Sequence, residues 1–224
     1  MSGVRQLSVE DPALAALTGH GVLVAVVDSG VANGHPHVGV VARGVRIGAD
    51  GSEDQDFADR IGHGTAVAAA IRDKAPGAEL LAVRIFEREL VTTAEVLARG
   101  IMRAADLGAR LVNLSLGTAN PAHRAVLEAA VRYAAERGAL VVTALEVDGV
   151  PMLPGAIDGV MGVRLDWECP RHTVTIATDP RGQAVASASG YPRPIPGVPP
   201  ERNLKGISFA VANVTGVLAR TREA

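Results

Sequence analysis

Residues 19–30 read GHGVLVAVVDSG, an apolar run with a glycine near each end and an acidic residue, Asp28, where the run stops. Val22 to Val27 are apolar without a break. A strand that does not alternate is buried on both faces, which is the habit of a parallel sheet covered by helices. Outward from it, HGTAVAAAIRDKAPG (63–77) has helix composition and ends at a Pro-Gly pair, and AELLAVRIF (78–86) is a second buried strand. TTAEVLARGIMRAADLGA (92–109) predicts a helix capped by Thr92 or Thr93 and closed by Gly108. RLVNLSLG (110–117) follows as a strand, then a helix from Pro121 to about Gly138, then the strand ALVVTAL (139–145). Strand and helix alternating at crossover spacing predict an α/β fold with a parallel sheet and helices on both faces.

Either side of this block the pattern is weaker. Asp11–Leu17 predicts a short helix, regularity fades beyond Val147, YPRPIPGVPP (191–200) is a proline-rich loop, and SFAVANVTGVLARTR (208–222) is a last helix. With no repeat or linker, the 224 residues are expected to form a single domain, residues 1–20 being a short lead without signal or propeptide.

Hydrophobic residues make up 48% and charged residues 21%, which excludes a disordered or fibrous chain. Only 3% is aromatic, so the core is aliphatic. A net charge of -2 and the absence of any Lys/Arg run give no reason to expect nucleic acid or an anionic membrane as partner. Glu10 and Asp11 lie where a signal peptide needs an apolar core, and the apolar runs are far short of the ~18 residues of a membrane span. Cys169 is the one cysteine, so no internal disulfide is possible. These features predict a soluble, cytoplasmic protein. No GxGxxG or GxxxxGK[ST] loop supports a nucleotide-binding domain.

In open parallel sheets functional groups gather where strands end and helices begin. Asp28 closes the first strand, His63 opens a helix after Gly62, and Ser208 opens the last helix after Gly206. A hydroxyl nucleophile, an imidazole to take its proton and a carboxylate to orient the imidazole are the three types such chemistry needs. Each also has an ordinary use, as turn residue, structural hydrogen-bonder or N-cap.

The flanking residues resemble the subtilisin-like serine peptidases in four segments and in the family's order. VAVVDSGV (24–31) resembles the strand of the catalytic Asp, GHGTAVA (62–68) the motif of the catalytic His, VNLSLG (112–117) the segment that pairs with substrate backbone, and GISFAVANVTG (206–216) the nucleophile block. The resemblance runs from about Gly21 to Gly216. It implies a three-layer α/β/α fold with a mostly parallel sheet and an active site at the sheet's carboxyl edge. It also implies Ser208 as nucleophile, His63 as general acid/base and Asp28 as the residue that orients it. Ser115, Leu116 and Gly117 would line the floor of a peptide cleft, with Leu145 and Glu146 on the pocket wall. The expected activity is serine endopeptidase, on a dedicated precursor peptide; the alternative is a pseudopeptidase that binds peptides.

Three departures bear on this. Where the family has an oxyanion-hole asparagine, this chain has Val147, or Glu146 or Asp148 with the register shifted by one. Loss of that donor in a subtilisin costs about 10²–10³ in rate. Thr143 or another group could take its place. Ile207, Phe209 and Ala212 stand where the nucleophile block has threonine, methionine and proline. The chain ends soon after the last helix, so a face left open there is expected to meet a second copy or a partner protein.

DGSEDQDFAD (50–59) reads as a solvated acidic loop, a calcium site or a cleft wall favouring basic substrates; with Glu146 it would push toward Arg or Lys near the cut. Its spacing is not that of an EF-hand, so calcium has no motif behind it and no cofactor is expected. His35, His37, His123 and His172 lack the spacing of metal ligands, so no metal site is predicted.

Overall fold

The computed structural model describes residues 3–41 and 43–223, so Met1, Ser2, Ala42 and Ala224 of the expected single domain lie outside the described residues. The strands are β1 (Arg5–Ser8), β2 (Leu23–Asp28), β3 (Arg43–Ile47), β4 (Glu53–Asp54), β5 (Glu79–Arg84), β6 (Leu111–Leu114) and β7 (Leu140–Ala144). They continue with β8 (Glu146–Val147), β9 (Val150–Pro151), β10 (Met161–Leu165), β11 (Thr173–Thr178) and β12 (Ala184–Ala188). The helices are α1 (Pro12–Ala15), α2 (His63–Lys74), α3 (Ala94–Asp106), α4 (Arg124–Glu136) and α5 (Ile207–Thr221).

Among the described residues ten strands form one sheet in the order β1-β11-β12-β10-β7-β6-β2-β5-β3-β4. Seven of them, β12 through β3, run parallel; β1 and β11 at one edge and β4 at the other are antiparallel to their neighbours. The unbroken apolar run of β2 is explained by its place, with β5 on one side and β6 on the other. Val24 and Val26 point into the core that holds α2 and α5. Leu23, Ala25 and Val27 point into the opposite core, against α3 and α4. The result is the three-layer α/β/α arrangement.

Chain order places the site. From β2 the chain builds β3 and β5 on one side, then crosses back to build β6 and β7 on the other. The carboxyl end of β2 is therefore the switch point of the sheet, where loops diverge and leave a crevice, and Asp28 is its last residue.

Cap chemistry sets the helix bounds: Thr93 accepts from the Val96 N–H, and Gly108 and Gly138 adopt positive φ just past α3 and α4. Two regions are more regular than the pattern predicts. Residues 5–8 form a strand that pairs with β11, and the predicted helix over 11–17 shrinks to the four residues of α1. Beyond Val147 the chain makes a β8–β9 hairpin and three further strands. Two-residue strands, and strands such as β11 in which only Thr173 and Val174 are buried, carry little hydrophobic periodicity. No described helix is long and apolar enough to cross a membrane.

Candidate active site

Asp28 is 1% exposed at the end of β2, and its Oδ1 lies 2.8 Å from His63 Nδ1, the ring of the first residue of α2. The Ser29 N–H donates to the same oxygen at 2.7 Å. Burial works to lower the His63 pKa, but the hydrogen bond and charge of Asp28, joined by the charge of Asp59, outweigh it and hold the imidazole above its ordinary value. A side chain at position 64 would strike the Gly30 carbonyl and come within 3.2 Å of the Asp28 Cβ, so glycine there lets α2 start directly against the carboxylate.

Asp59 fixes the start of α2. Its Oδ1 accepts from the Ser29 hydroxyl (2.9 Å) and from the Ile61 and Gly62 N–H groups (2.9 and 2.8 Å). Its Oδ2 accepts from the Thr65 N–H (2.9 Å) and hydroxyl (2.5 Å). Ser29 Oγ in turn accepts from the Gly64 N–H at 2.9 Å. Burial works to raise the Asp59 pKa, and these hydrogen bonds outweigh it and lower it. The sequence reading missed this role. The signal was a carboxylate two and three residues ahead of Ile61 and Gly62, an Asx-turn pattern hidden inside an acidic run.

Of the other acidic loop residues, Asp50 accepts from the Ser52 N–H and hydroxyl, and the rest turn to this chain's own arginines. Asp54 pairs with Arg46 (2.6 Å), Asp56 with Arg60 and Arg84 (2.6 and 3.0 Å), and Glu53 with Arg103 (3.0 Å). Among the described residues no group of three or more His, Cys, Asp or Glu could hold a metal ion.

Ser208 is the second residue of α5, after Gly206, whose φ of 139° is a conformation that side chains resist. Its hydroxyl donates to the Ser115 carbonyl at 3.4 Å, and the Ser115 hydroxyl donates to the Ser208 carbonyl at 3.3 Å. Behind them, buried Asn113 donates from Nδ2 to Ser115 Oγ at 3.0 Å and accepts from the Thr215 hydroxyl at 2.9 Å, tying β6 to α5. The Phe209 ring lies 6.1 Å from the His63 ring, so the start of α5 borders the imidazole. Among the described residues no hydrogen bond joins Ser208 to His63.

The other predicted residues divide into two groups. Ser115, Leu116 and Gly117 continue from β6 as a half-buried segment, and the Leu116 carbonyl accepts from the Thr143 hydroxyl at 3.2 Å. Thr143 is fully buried and committed to that bond. A cleft of about 210 Å³ borders the same segment, lined in part by Leu90, Leu97 and His123. Leu145 is buried, whereas Glu146 and Val147 form β8 of a hairpin closed by Asp148 and Gly149, both at positive φ. Glu146 faces Arg164 at 3.5 Å and Val147 is exposed. The segment expected to carry an oxyanion donor is thus a tight type I′ turn without a side-chain amide. A cleft of about 460 Å³ lies between this hairpin, Trp167 and Gly206–Ile207.

The family model described as "Subtilase family" matches residues 19–145, more than half of the chain. Subtilisin Savinase of Lederbergia lenta is 39% identical over 137 residues, covering 57% of this chain and 48% of that protein. The chain spans about half the length, or less, of the first curated relatives it matches. In structure, Sphericase superposes with a TM-score of 0.71 at 23% identity, covering 91% of this chain and 77% of its own. The prenylagaramide maturation protease PagA gives 0.67 at 24% identity, covering 94% and 80%. The chain belongs to the subtilase family.

Proposed function

We propose that this protein is a serine endopeptidase in which Ser208 attacks a peptide carbonyl, His63 moves the proton and Asp28 holds His63. The observation that carries the reading is the 2.8 Å Asp28–His63 pair, placed at the switch point of the sheet beside the start of α5. Asp28 on Nδ1 leaves Nε2 as the nitrogen that takes a proton. As the Ser208 oxygen bonds to the carbonyl carbon, its proton passes to His63. The imidazolium then protonates the departing amine, leaving an acyl-enzyme that water, activated by the same imidazole, hydrolyses.

The developing oxyanion meets the Ser208 N–H and the positive end of α5. With Val147 exposed and no side-chain amide at 146–148, the asparagine donor that the resemblance implies has no counterpart in this segment, and turnover is expected to be slow. Before attack, the Ser208 hydroxyl must leave the Ser115 carbonyl, which an arriving peptide strand would take over. A slow enzyme suits a dedicated precursor peptide, and PagA, a maturation protease of the same fold, supports that substrate class. The Ser208–Ser115 bond and the missing amide also favour a second reading, a peptide-binding pseudopeptidase.

Reaction with a fluorophosphonate probe separates the two. Labelling of the natural chain that is lost in Ser208→Ala and His63→Ala is the expected result. A chain that takes up no probe and hydrolyses nothing in a broad peptide library is the binding module.

A further inference from the structure

Beyond the paired part of β6 and β7, the segments 115–117 and 144–146 continue past the end of the sheet, the two sides of the cleft in the proposed peptidase. The space between them is filled by this chain itself. After the β8–β9 hairpin the backbone turns back, and the Met152 N–H donates to the Leu145 carbonyl at 2.9 Å. Leu153 and Thr118 then exchange two backbone hydrogen bonds, 2.8 and 2.9 Å, as an antiparallel bridge. Gly155 lies directly against the Ala144 carbonyl. Residues 152–155 thus bridge from one wall of the cleft to the other.

Met152 is the residue of this bridge that reaches the floor. A Cβ at position 117 would stand 3.2 Å from the Met152 Cβ, 3.5 Å from its terminal methyl and 2.9 Å from the Leu153 carbonyl oxygen. The whole Met152 side chain, from Cβ to Cε, is therefore laid along Gly117. Leu153 behind it is buried and tied by both backbone bonds, so the bridge is a fixed part of the fold, while Met152 itself is half-buried at the cleft face.

We propose that Met152 occupies the space that would otherwise receive the side chain of the residue whose carbonyl Ser208 attacks, so that the enzyme cuts after glycine, alanine or serine. The inference rests on the reading of the protein as a peptidase and adds its substrate class. A substrate strand on Ser115–Gly117 brings that residue to Ser208 and turns its side chain between the two walls. A methyl or hydroxymethyl group fits above Met152; a leucine or phenylalanine collides with it. The Glu146 carboxylate does not offset this with a preference for arginine or lysine, because it already faces Arg164 and lies in the hairpin beyond the bridge.

The test uses acyl-tetrapeptide aminocoumarins that differ only in the last residue, with fluorophosphonate labelling run in parallel. The natural chain should favour alanine over leucine by about 10²-fold in kcat/KM, the scale on which pocket fit discriminates. Met152→Gly should reduce that ratio at least tenfold. Met152→Ala, the milder change, should move it the same way if the glycine variant fails to fold. A natural chain that cleaves after leucine or phenylalanine as well as after alanine overturns the proposal, as does a folded Met152 variant with an unaltered ratio. In either case Ser208-dependent labelling keeps the peptidase reading intact. If labelling and cleavage are both absent, the peptidase reading falls and this inference falls with it.

Discussion

The two ends of α2 each carry a charged cluster against the buried sheet, and the two are built in opposite ways. At the N-terminal end, His63 shares one ring nitrogen with Asp28 and keeps 17% of its side chain exposed. Asp59, beneath it, is engaged by backbone and hydroxyl groups and, among the described residues, forms no ion pair. At the C-terminal end, Lys74 is fully buried with its ammonium 2.6 Å from Asp73, and Asp73 also binds Arg171 at 2.5 Å. Arg220 donates to the Lys74 carbonyl and to those of Leu14 and Leu17, closing that end against the N-terminal lead and α5. A cation at a helix C-terminus also suits the helix dipole. One end keeps a titratable nitrogen free for a proton; the other commits its charges to each other. The same helix thus anchors at one end and, at the other, holds the imidazole of the proposed mechanism.

The contrast breaks most visibly at Asp28. Asp28→Asn keeps the shape of the pair but presents an amide to Nδ1, which favours the wrong tautomer. An approximately 10⁴-fold fall in kcat/KM is expected, with little change in the urea midpoint at a pH above the raised His63 value. A variant that loses both together would show the N-terminal end to be structural as well.

The mirror experiment lies at Asp73. Asp73→Asn strands the buried Lys74 ammonium beside Arg171, and removing one partner of a buried pair typically costs about 3–5 kcal/mol. Lys74→Met removes the buried charge instead and leaves Asp73 with Arg171, so its loss should be less than half as large. Urea titration of both variants, with hydrolysis measured well below their midpoints, should show stability moving and activity staying within about twofold.

Asp59→Asn should lie between the two. It turns an amide toward the Thr65 N–H and hydroxyl, loosening the turn that aims His63. An approximately 10–10²-fold fall in kcat/KM is expected, the scale of a small misplacement of a reacting group. If KM alone changes, Asp59 shapes the cleft and does not position the imidazole.

How far this was legible in the sequence follows the same divide. Strand β2, the alternating helices and the elements bearing Asp28, His63 and Ser208 could be read because each is local: a run, a cap, a motif. Asp59 was hidden because its Asx-turn spacing to Ile61 and Gly62 lies inside an acidic run, and because its bond to Ser29 joins residues thirty apart in the chain. The Lys74–Asp73–Arg171 cluster was hidden for a like reason: a Lys at a helix end ordinarily faces water, and only the packing of α5 and the segment before β11 buries this one. Met152 looked like an unremarked residue of an irregular stretch, since the bridge that seats it on Gly117 joins segments with no shared pattern.

The smallest effect is in pH, and its sign is fixed by the two ends. Asp28 raises the His63 pKa above the ordinary 6.5, so protonation favours the fold. That stability is fully present below the ordinary value and is lost as pH rises through the raised one. Asp73 is the reverse: Lys74 and Arg171 hold it down at about 2 against the burial that opposes them. Its contribution is present above the ordinary 3.8 and is lost as pH falls toward 2. In the proposed mechanism His63 acts as a neutral base, so kcat/KM should climb on an acid limb above pH 6.5 while unfolding free energy declines across the same interval. The interval is bounded by other groups. His37 and His172, both lowered by burial, weaken the fold only below 6.5, and Lys74, pushed down to about 8 by burial, starts to release its proton above it. Between pH 6.5 and about 7, before Lys74 gives up much of its proton, the opposition of activity and stability therefore reports His63; nearer 8 the loss of that proton raises stability with pH and offsets the slope. Urea titrations of the natural chain and Asp28→Asn across that window provide the check: the downward slope should be present in the first and flattened in the second. Activity and stability rising together there would show that the Asp28–His63 pair does not stabilise the imidazolium.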